Sequence, residues 1–305
     1  MEPQELFKDY QQDSIVKLVE ANAIETFVAM PFDENKEKVF QQVIEPAYKK
    51  ACELMKDDRS MTRSLSVPKV VHVEGCGDIQ ANMLKQIMDK HIFLADITGH
   101  NANVFFELGL AMILKPNNQI IIIRNEPVNK KCGLPFDINT NNVIGYGCLD
   151  GYINELRITE IASAMIAAAN AFDGNLKIYI EKEKMRLTPT AIKMLNQIGG
   201  QTRDCHKNND NNGWKPEFIT EETFKNDFSK ECFQKAAQEL LDKRLLVTDW
   251  KSEASGMHYY GMRLTKFGFY FFANAFKEYR CYISRMGMRK FEEEAFFDPN
   301  KEEGR

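Results

Sequence analysis

Between His91 and Lys115 the chain reads HIFLADITGHNANVFFELGLAMILK, a buried strand, a polar loop and an apolar helix carrying one carboxylate, Glu107. Its neighbours Phe105, Phe106, Leu108 and Leu110 are apolar, and an unpaired ionised group in such a setting loses several kcal/mol of hydration. The positive end of the helix returns roughly 0.3–1 kcal/mol of that. A carboxylate held rigidly at the mouth of an α/β sheet suits nucleophilic attack on a sugar carbon. The plainer alternative is a helix-terminal group that caps amides.

Further polar residues collect at other strand ends. MPFD supplies Met30 and Phe32, which either line a base pocket or merely finish a strand. EGCGD supplies Gly75 and Gly77, which allow close backbone approach to a ligand, and Asp78, which opens a helix. The loop before Glu107 adds Asp96, Thr98, Asn101 and Asn103. The amides of residues 103–105 offer a place for a phosphate or sugar hydroxyl. Against this, Asp96 can tether loops, while Asn101, Asn103 and Asp78 can serve as caps. His91 and His100 read as incidental, and Cys76 as a thiol of undetermined reactivity.

The elements that must position these groups follow from hydrophobic period. Strands are predicted at Thr26–Met30, Lys69–Glu74, Ile92–Ile97, Gln119–Arg124 and Asn142–Tyr146. Helices are predicted at Glu34–Met55, Asp78–His91, after Asn101 and from Ile153 to Phe172. Five βα units predict an α/β fold, a flavodoxin-like, doubly wound, five-stranded parallel sheet with ligands at the carboxyl ends of the strands. Residues 1–24 read as a helical arm and 25–174 as the α/β domain. Residues 175–187, with KIYIEKEKMRL, read as a charged strand or linker.

Residues 188–290 carry a different order. Helices at Thr190–Ile198, Glu221–Phe228 and Lys230–Arg244 precede a hairpin with Ser255 and Gly256 at its tip, then an aromatic helix, Phe267–Tyr282. GGQTRDCHKNNDNNGWKP reads as a polar loop. That order predicts an α+β winged-helix-like domain, followed by a charged tail at 291–305. Lys230, Gln234, Lys235, Gln238, Lys243 and Arg244 are types that touch phosphates and bases, but Glu231, Glu239 and Asp242 share the helix.

Composition narrows the class. The chain has 305 residues, 44% hydrophobic and 28% charged, with a net charge of −4. This predicts two globular domains and argues against a protein that coats nucleic acid. The seven cysteines form no CxxC pair, so neither a disulfide framework nor a zinc ribbon is suggested. There is no basic-then-apolar start and no apolar run near 18 residues, so a cytoplasmic protein without a membrane span is expected.

The blocks ADITGHNANVFFELGLA, FVAMPF before it and LPFD after it resemble the nucleoside 2-deoxyribosyltransferase-like family over roughly Glu25–Tyr146. The superfamily includes nucleoside monophosphate N-glycosidases and is similar in fold to TIR domains that cleave NAD. The resemblance implies that Glu107 is the nucleophile at the anomeric carbon, that Asp78 assists the leaving base, and that Asn101 lies near the 5′ end of the sugar. It also implies a homo-oligomer and a small-molecule nucleoside, nucleotide or NAD as substrate; no cofactor or metal is expected. Where relatives carry an acidic cluster after strand two, this chain has His72, Glu74 and Cys76. The expectation is an N-glycosidase or ribosyl transferase, in the manner of a regulated antiviral effector. The alternative is a non-catalytic nucleotide sensor coupled to a DNA-binding winged helix; the partner expected at the C-terminal domain is DNA or a protein.

Overall fold

The computed structural model of the protein describes residues 13–21, 23–31, 36–56, 63–70, 79–125, 143–147, 155–204, 224, 227–252 and 258–276. The chain divides into two compact units, Met1–Asn175 and Leu176–Arg305.

The first unit is mixed α/β around one parallel sheet. A leading helix, α1, covers 13–20. The short strand β1 (Ala23–Ile24) pairs in parallel with β3 (Ser64–Leu65), apart from the main sheet. This corrects the helical reading of residues 1–24 at its end; two residues are too few for a strand period to show. The main sheet holds β2 (Thr26–Ala29), β4 (Lys69–Val70), β5 (Ile92–Asp96), β6 (Ile120–Arg124) and β7 (Val143–Gly145). Their order is β4-β2-β5-β6-β7, and every pairing is parallel. In terms of the five expected strands this is 2-1-3-4-5, the flavodoxin-type order, whose crevice opens where the chain reverses direction beside β2 and β5.

Beta-branched and aromatic residues fill these strands because both faces are covered. All five residues of β5 are buried, as are four of the five in β6. One face carries Phe27, Ala29, Phe93, Ala95 and Ile122. They pack with Met83 and Ile87 of α3 (Ile79–Met88) and with Val104, Leu108 and Ala111 of α4 (Ala102–Leu114). Phe27 and Phe93 stack across neighbouring strands at 5.3 Å.

The helix between β2 and β3, α2, is irregular. It starts as Lys36–Val39, widens into a π-helical turn at Phe40–Ile44, and continues as Glu45–Lys56. The Glu45 amide donates back to the Phe40 carbonyl, five residues earlier, so one residue more than a regular turn is accommodated. Val43 and Ile44 are buried in that turn.

Beneath the sheet His91 latches three segments. Its Nδ1 accepts from the Glu25 amide at 3.0 Å, which leaves Nε2 to donate to the Leu18 carbonyl at 2.8 Å. Arg63 donates to the carbonyls of Leu18 and Val19. Burial lowers the His91 pKa to about 3, which keeps the ring neutral.

The segment expected to be a charged strand or linker is helical. One helix, α5, runs Glu155–Arg186 across the division between the units, and the expected closing helix is its first part. The second unit continues with α6 (Pro189–Asp204), which takes residues 199–204 out of the expected polar loop. Then come α7 (Lys230–Asp242), the antiparallel pair β8 (Leu246–Ser252) and β9 (His258–Leu264), and α8 (Lys266–Ala275). Most of the expected helix 221–228, the hairpin tip, residues 277–290 and the tail lie outside the described residues.

Side-chain caps set the helix starts here. Ser229 accepts from the Cys232 amide and Thr265 from the Gly268 amide. Thr188 gives both its amide and its hydroxyl to the Glu239 carboxylate, tying α6 to α7. Residues 267–275 are all buried, so the aromatic helix forms the centre of this unit.

Candidate functional site

β2 and β5 pair from Thr26–Ile92 to Ala29–Ala95. Met30 and Asp96 therefore leave the sheet side by side, at the carboxyl ends that border the crevice. Met30 is buried. Phe32, Gly75, Gly77 and Asp78, together with His72, Glu74 and Cys76, lie outside the described residues.

Asp96 is 1% exposed, and its oxygens have internal partners. Oδ1 accepts from the amide and hydroxyl of Thr98. Oδ2 accepts from the Tyr146 hydroxyl at 2.9 Å. Strand alternation also points this side chain away from the face that carries Phe93, Ala95 and α4. The structure thus gives Asp96 the tethering role and does not bring it to Glu107. Thr98 is similarly engaged, since its hydroxyl accepts from the Asn125 amide at 2.9 Å. Sequence reasoning missed Tyr146 and Asn125 in this cluster. They lie about 50 and 30 residues away in the chain, and no local pattern marks them.

The turn from β5 into α4 passes through two left-handed residues, Gly99 (φ 68°) and His100 (φ 55°). Such a conformation is easy for glycine and costly for histidine. The His100 ring lies parallel to Phe105 at 6.0 Å. Asn101 then caps the helix: its Oδ1 accepts from the Asn103 amide at 3.0 Å and the Val104 amide at 3.3 Å. The Phe105 amide donates to the Asn101 carbonyl. All three amides expected to hold a phosphate or sugar hydroxyl are therefore occupied within the chain, and Asn101 acts as their cap.

Glu107 lies in the second turn of α4, between the buried residues and the outer side. It is half-buried, and desolvation raises its pKa to about 7. Among the described residues no cation offsets that burial in the balance that sets its pKa. Asn103, four residues earlier and exposed, shares its side of the helix. Of the expected site residues described here, Asn103 and Glu107 are the two that share a helix side without an internal structural task.

A carboxylate poised near neutrality can act as a base or nucleophile when ionised and as an acid when protonated. Among the described residues no group of His, Cys, Asp and Glu could hold a metal ion. Among them, too, no helix is long and apolar enough to cross a membrane. No family model matches the chain, and no curated protein matches it in sequence.

Proposed function

We propose that the first unit is an N-glycosidase or ribosyl transferase that cleaves the base–sugar bond of a nucleoside, nucleotide or NAD-like molecule, with Glu107 as nucleophile. The single observation that carries the reading is the half-buried Glu107 with its pKa raised to about 7, on the helix that leaves the crevice strand β5. The 2-1-3-4-5 strand order supports it, because open parallel sheets bind ligands where the order reverses.

In this mechanism the ionised carboxylate of Glu107 faces the anomeric carbon as the bond to the base lengthens. It stabilises the oxocarbenium-like charge or captures the sugar covalently. Water or a second base then takes the sugar, and Glu107 is released. Desolvation strengthens the attraction between carboxylate and developing cation, which has less solvent to screen it. Asn103 is placed to bind a sugar hydroxyl from the same side of α4. Asp78 remains the proposed group at the leaving base.

The second unit is read as a winged-helix-like interaction module, from the order helix, helix, hairpin, helix. On α7, Lys235 pairs with Glu231 and Gln238 with Asp242, each at 2.7 Å. Lys243 is held by Glu183 at 3.0 Å. Three of the six residues singled out on that helix, Lys235, Gln238 and Lys243, thus have acidic partners within the chain, which lowers the positive charge offered to DNA and favours a protein partner. A soluble, cytoplasmic effector that depletes nucleotides fits both halves.

The test is chromatography of purified full-length protein incubated with nucleosides, nucleoside monophosphates and NAD, beside Glu107→Gln. A free base released by the parent and absent with the variant is the expected result. Release that survives Glu107→Gln, or none from any substrate, overturns the reading.

A further inference from the structure

Helix α1 is held against the amino end of the sheet, opposite the crevice, by side chains from distant parts of the chain. Its apolar share is small: Val16, Leu18 and Val19 are buried. Asp89 accepts from the Ser14 hydroxyl at 2.7 Å and from the Lys17 ammonium at 2.8 Å. The Leu18 carbonyl accepts from Arg63 at 2.7 Å and from His91, and the Val19 carbonyl accepts from Arg63 at 3.0 Å. Phe172 of α5 backs both donors, edge-on to His91 at 4.7 Å and 5.5 Å from the Arg63 guanidinium. A helix as short as 13–20 is marginal by itself, so α1 stays folded while these bonds hold it.

Two buried bases lie at this junction: His91 is 1% exposed, and Lys115, at the end of α4, 7%. The bonds of both suit their neutral forms. His91 Nδ1 accepts from the Glu25 amide, and a protonated ring would meet that amide with a second N–H. Lys115 has one hydrogen bond among the described residues, to the Lys90 carbonyl, whereas an ammonium has three N–H groups to place. The cations Arg63, Lys90 and Lys115 all oppose protonation of His91, and the Glu25 carboxylate is taken by Lys90 at 3.0 Å. Asp89 is the carboxylate that acts on Lys115, and α1 already engages it through Ser14 and Lys17. Of the other charged residues on the packed elements, α1 carries Asp13 and Glu20, and α5 carries Asp173 beside Phe172. Burial pushes the Lys115 pKa down to about 7 and that of His91 down to about 3.

We propose that α1 is a proton-operated strap: it closes over His91 and Lys115 in their neutral forms, and its lifting is coupled to proton uptake by both bases, with Asp89 exchanging Ser14 and Lys17 for Lys115. The proposal does not depend on the glycosidase reading. The open form binds more protons wherever the pH lies between a base's closed and ordinary pKa, which is 7 to 10.5 for Lys115 and 3 to 6.5 for His91. Within each range a fall of one pH unit makes opening about tenfold easier.

Amide hydrogen exchange of the full chain, read by mass spectrometry at pH 9, 8, 6 and 5 and corrected for the intrinsic rate at each pH, tests it. Peptides covering α1 are compared with peptides covering β5. Protection of α1 is expected to lie below that of β5 at every pH, and to fall about tenfold from pH 9 to 8 and again from pH 6 to 5. Lys115→Met is expected to remove the first fall and leave the second. Ser14→Ala combined with Lys17→Ala, which touches only α1, is expected to lower its protection throughout and keep both falls. The two falls in the parent decide the matter even where Lys115→Met does not fold. Protection of α1 that is constant with pH, that equals β5 throughout, or whose first fall survives Lys115→Met overturns the proposal.

Discussion

Tyr146 reaches past the strand between them to donate its hydroxyl to Asp96 Oδ2 at 2.9 Å, joining the ends of β7 and β5. The same hydroxyl lies 3.1 Å from the Thr98 hydroxyl, and Thr98 in turn accepts from Asn125 after β6. Three neighbouring strand ends are thereby fixed by one buried polar cluster. The carboxyl ends of β5, β6 and β7 are therefore held together from within the chain.

Tyr146→Phe removes one donor from that cluster and nothing else of size. Losing a hydrogen bond to a charged, buried group costs about 1–3 kcal/mol. A lower melting temperature is expected, with base release retained. Equal loss of release in Tyr146→Phe and Glu107→Gln would assign the cluster a chemical role.

Glu107 has a folded pKa of about 7, above its ordinary 4.5. The folded chain therefore binds more protons between those values, and this group's contribution to stability falls as pH rises from 4.5 to 7. Glu107→Gln removes the dependence. The variant should match the parent near pH 4.5 and exceed it at pH 8, on the order of 1–2 kcal/mol after allowance for screening of a part-exposed group. Denaturant titrations at the two pH values measure this. As a nucleophile the same group makes kcat/KM rise with pH and level off above about 7.

His91 acts with the opposite sign. Its folded pKa of about 3 lies below the ordinary 6.5, so its contribution is complete above 6.5 and drains away as pH falls towards 3. At pH 5 the loss is about 2 kcal/mol. His91→Phe should unfold more easily at pH 7.5, because the Glu25 amide and Leu18 carbonyl lose this partner. It should also show a flatter acid limb in chemical denaturation between pH 7 and 5.

In the second unit α8 presses on the chain before β8. A Cβ at Gly268 would fall on the Leu245 carbonyl, which is backbone and has little freedom to yield. Gly268→Ala should cost several kcal/mol, of the order of an overpacked core or more. At Gly199 an added Cβ meets the Phe272 ring, a side chain that can shift. Gly199→Ala should cost less, and thermal melts of the two variants compare them directly.

The parallel sheet was legible because its strands are continuous apolar runs separated by helices, as in Ile120–Ile123. The far half of α5 was not. Its Lys-Ile-Tyr-Ile-Glu run alternates like a strand, with Ile178 57% exposed. The deciding pattern was longer: Phe172, Leu176 and Ile180 are all buried, at a helical period that begins before the alternating run. The half-burial of Glu107 was legible in its apolar neighbours, and that burial is what raises its pKa. Asp96 and Asn101 were visible as polar residues, but their tasks depend on where the backbone turns. A tether between Asp96 and Tyr146 exists only once β6 has been laid between them.

The π-helical turn Phe40–Ile44 can be regarded as a spare residue stored in α2. Its outward positions, Gln41 and Gln42, are exposed, while Val43 and Ile44 are locked in the core. Deleting either glutamine would let the helix close to a regular pitch. Everything ahead of the deletion, including Lys36–Val39, would then swing by about 100° around the helix axis. That segment comes soon after β2 in the chain, so a single-codon deletion would re-aim the first turn of α2 while Val43 and Ile44 keep the rest of the helix seated in the core.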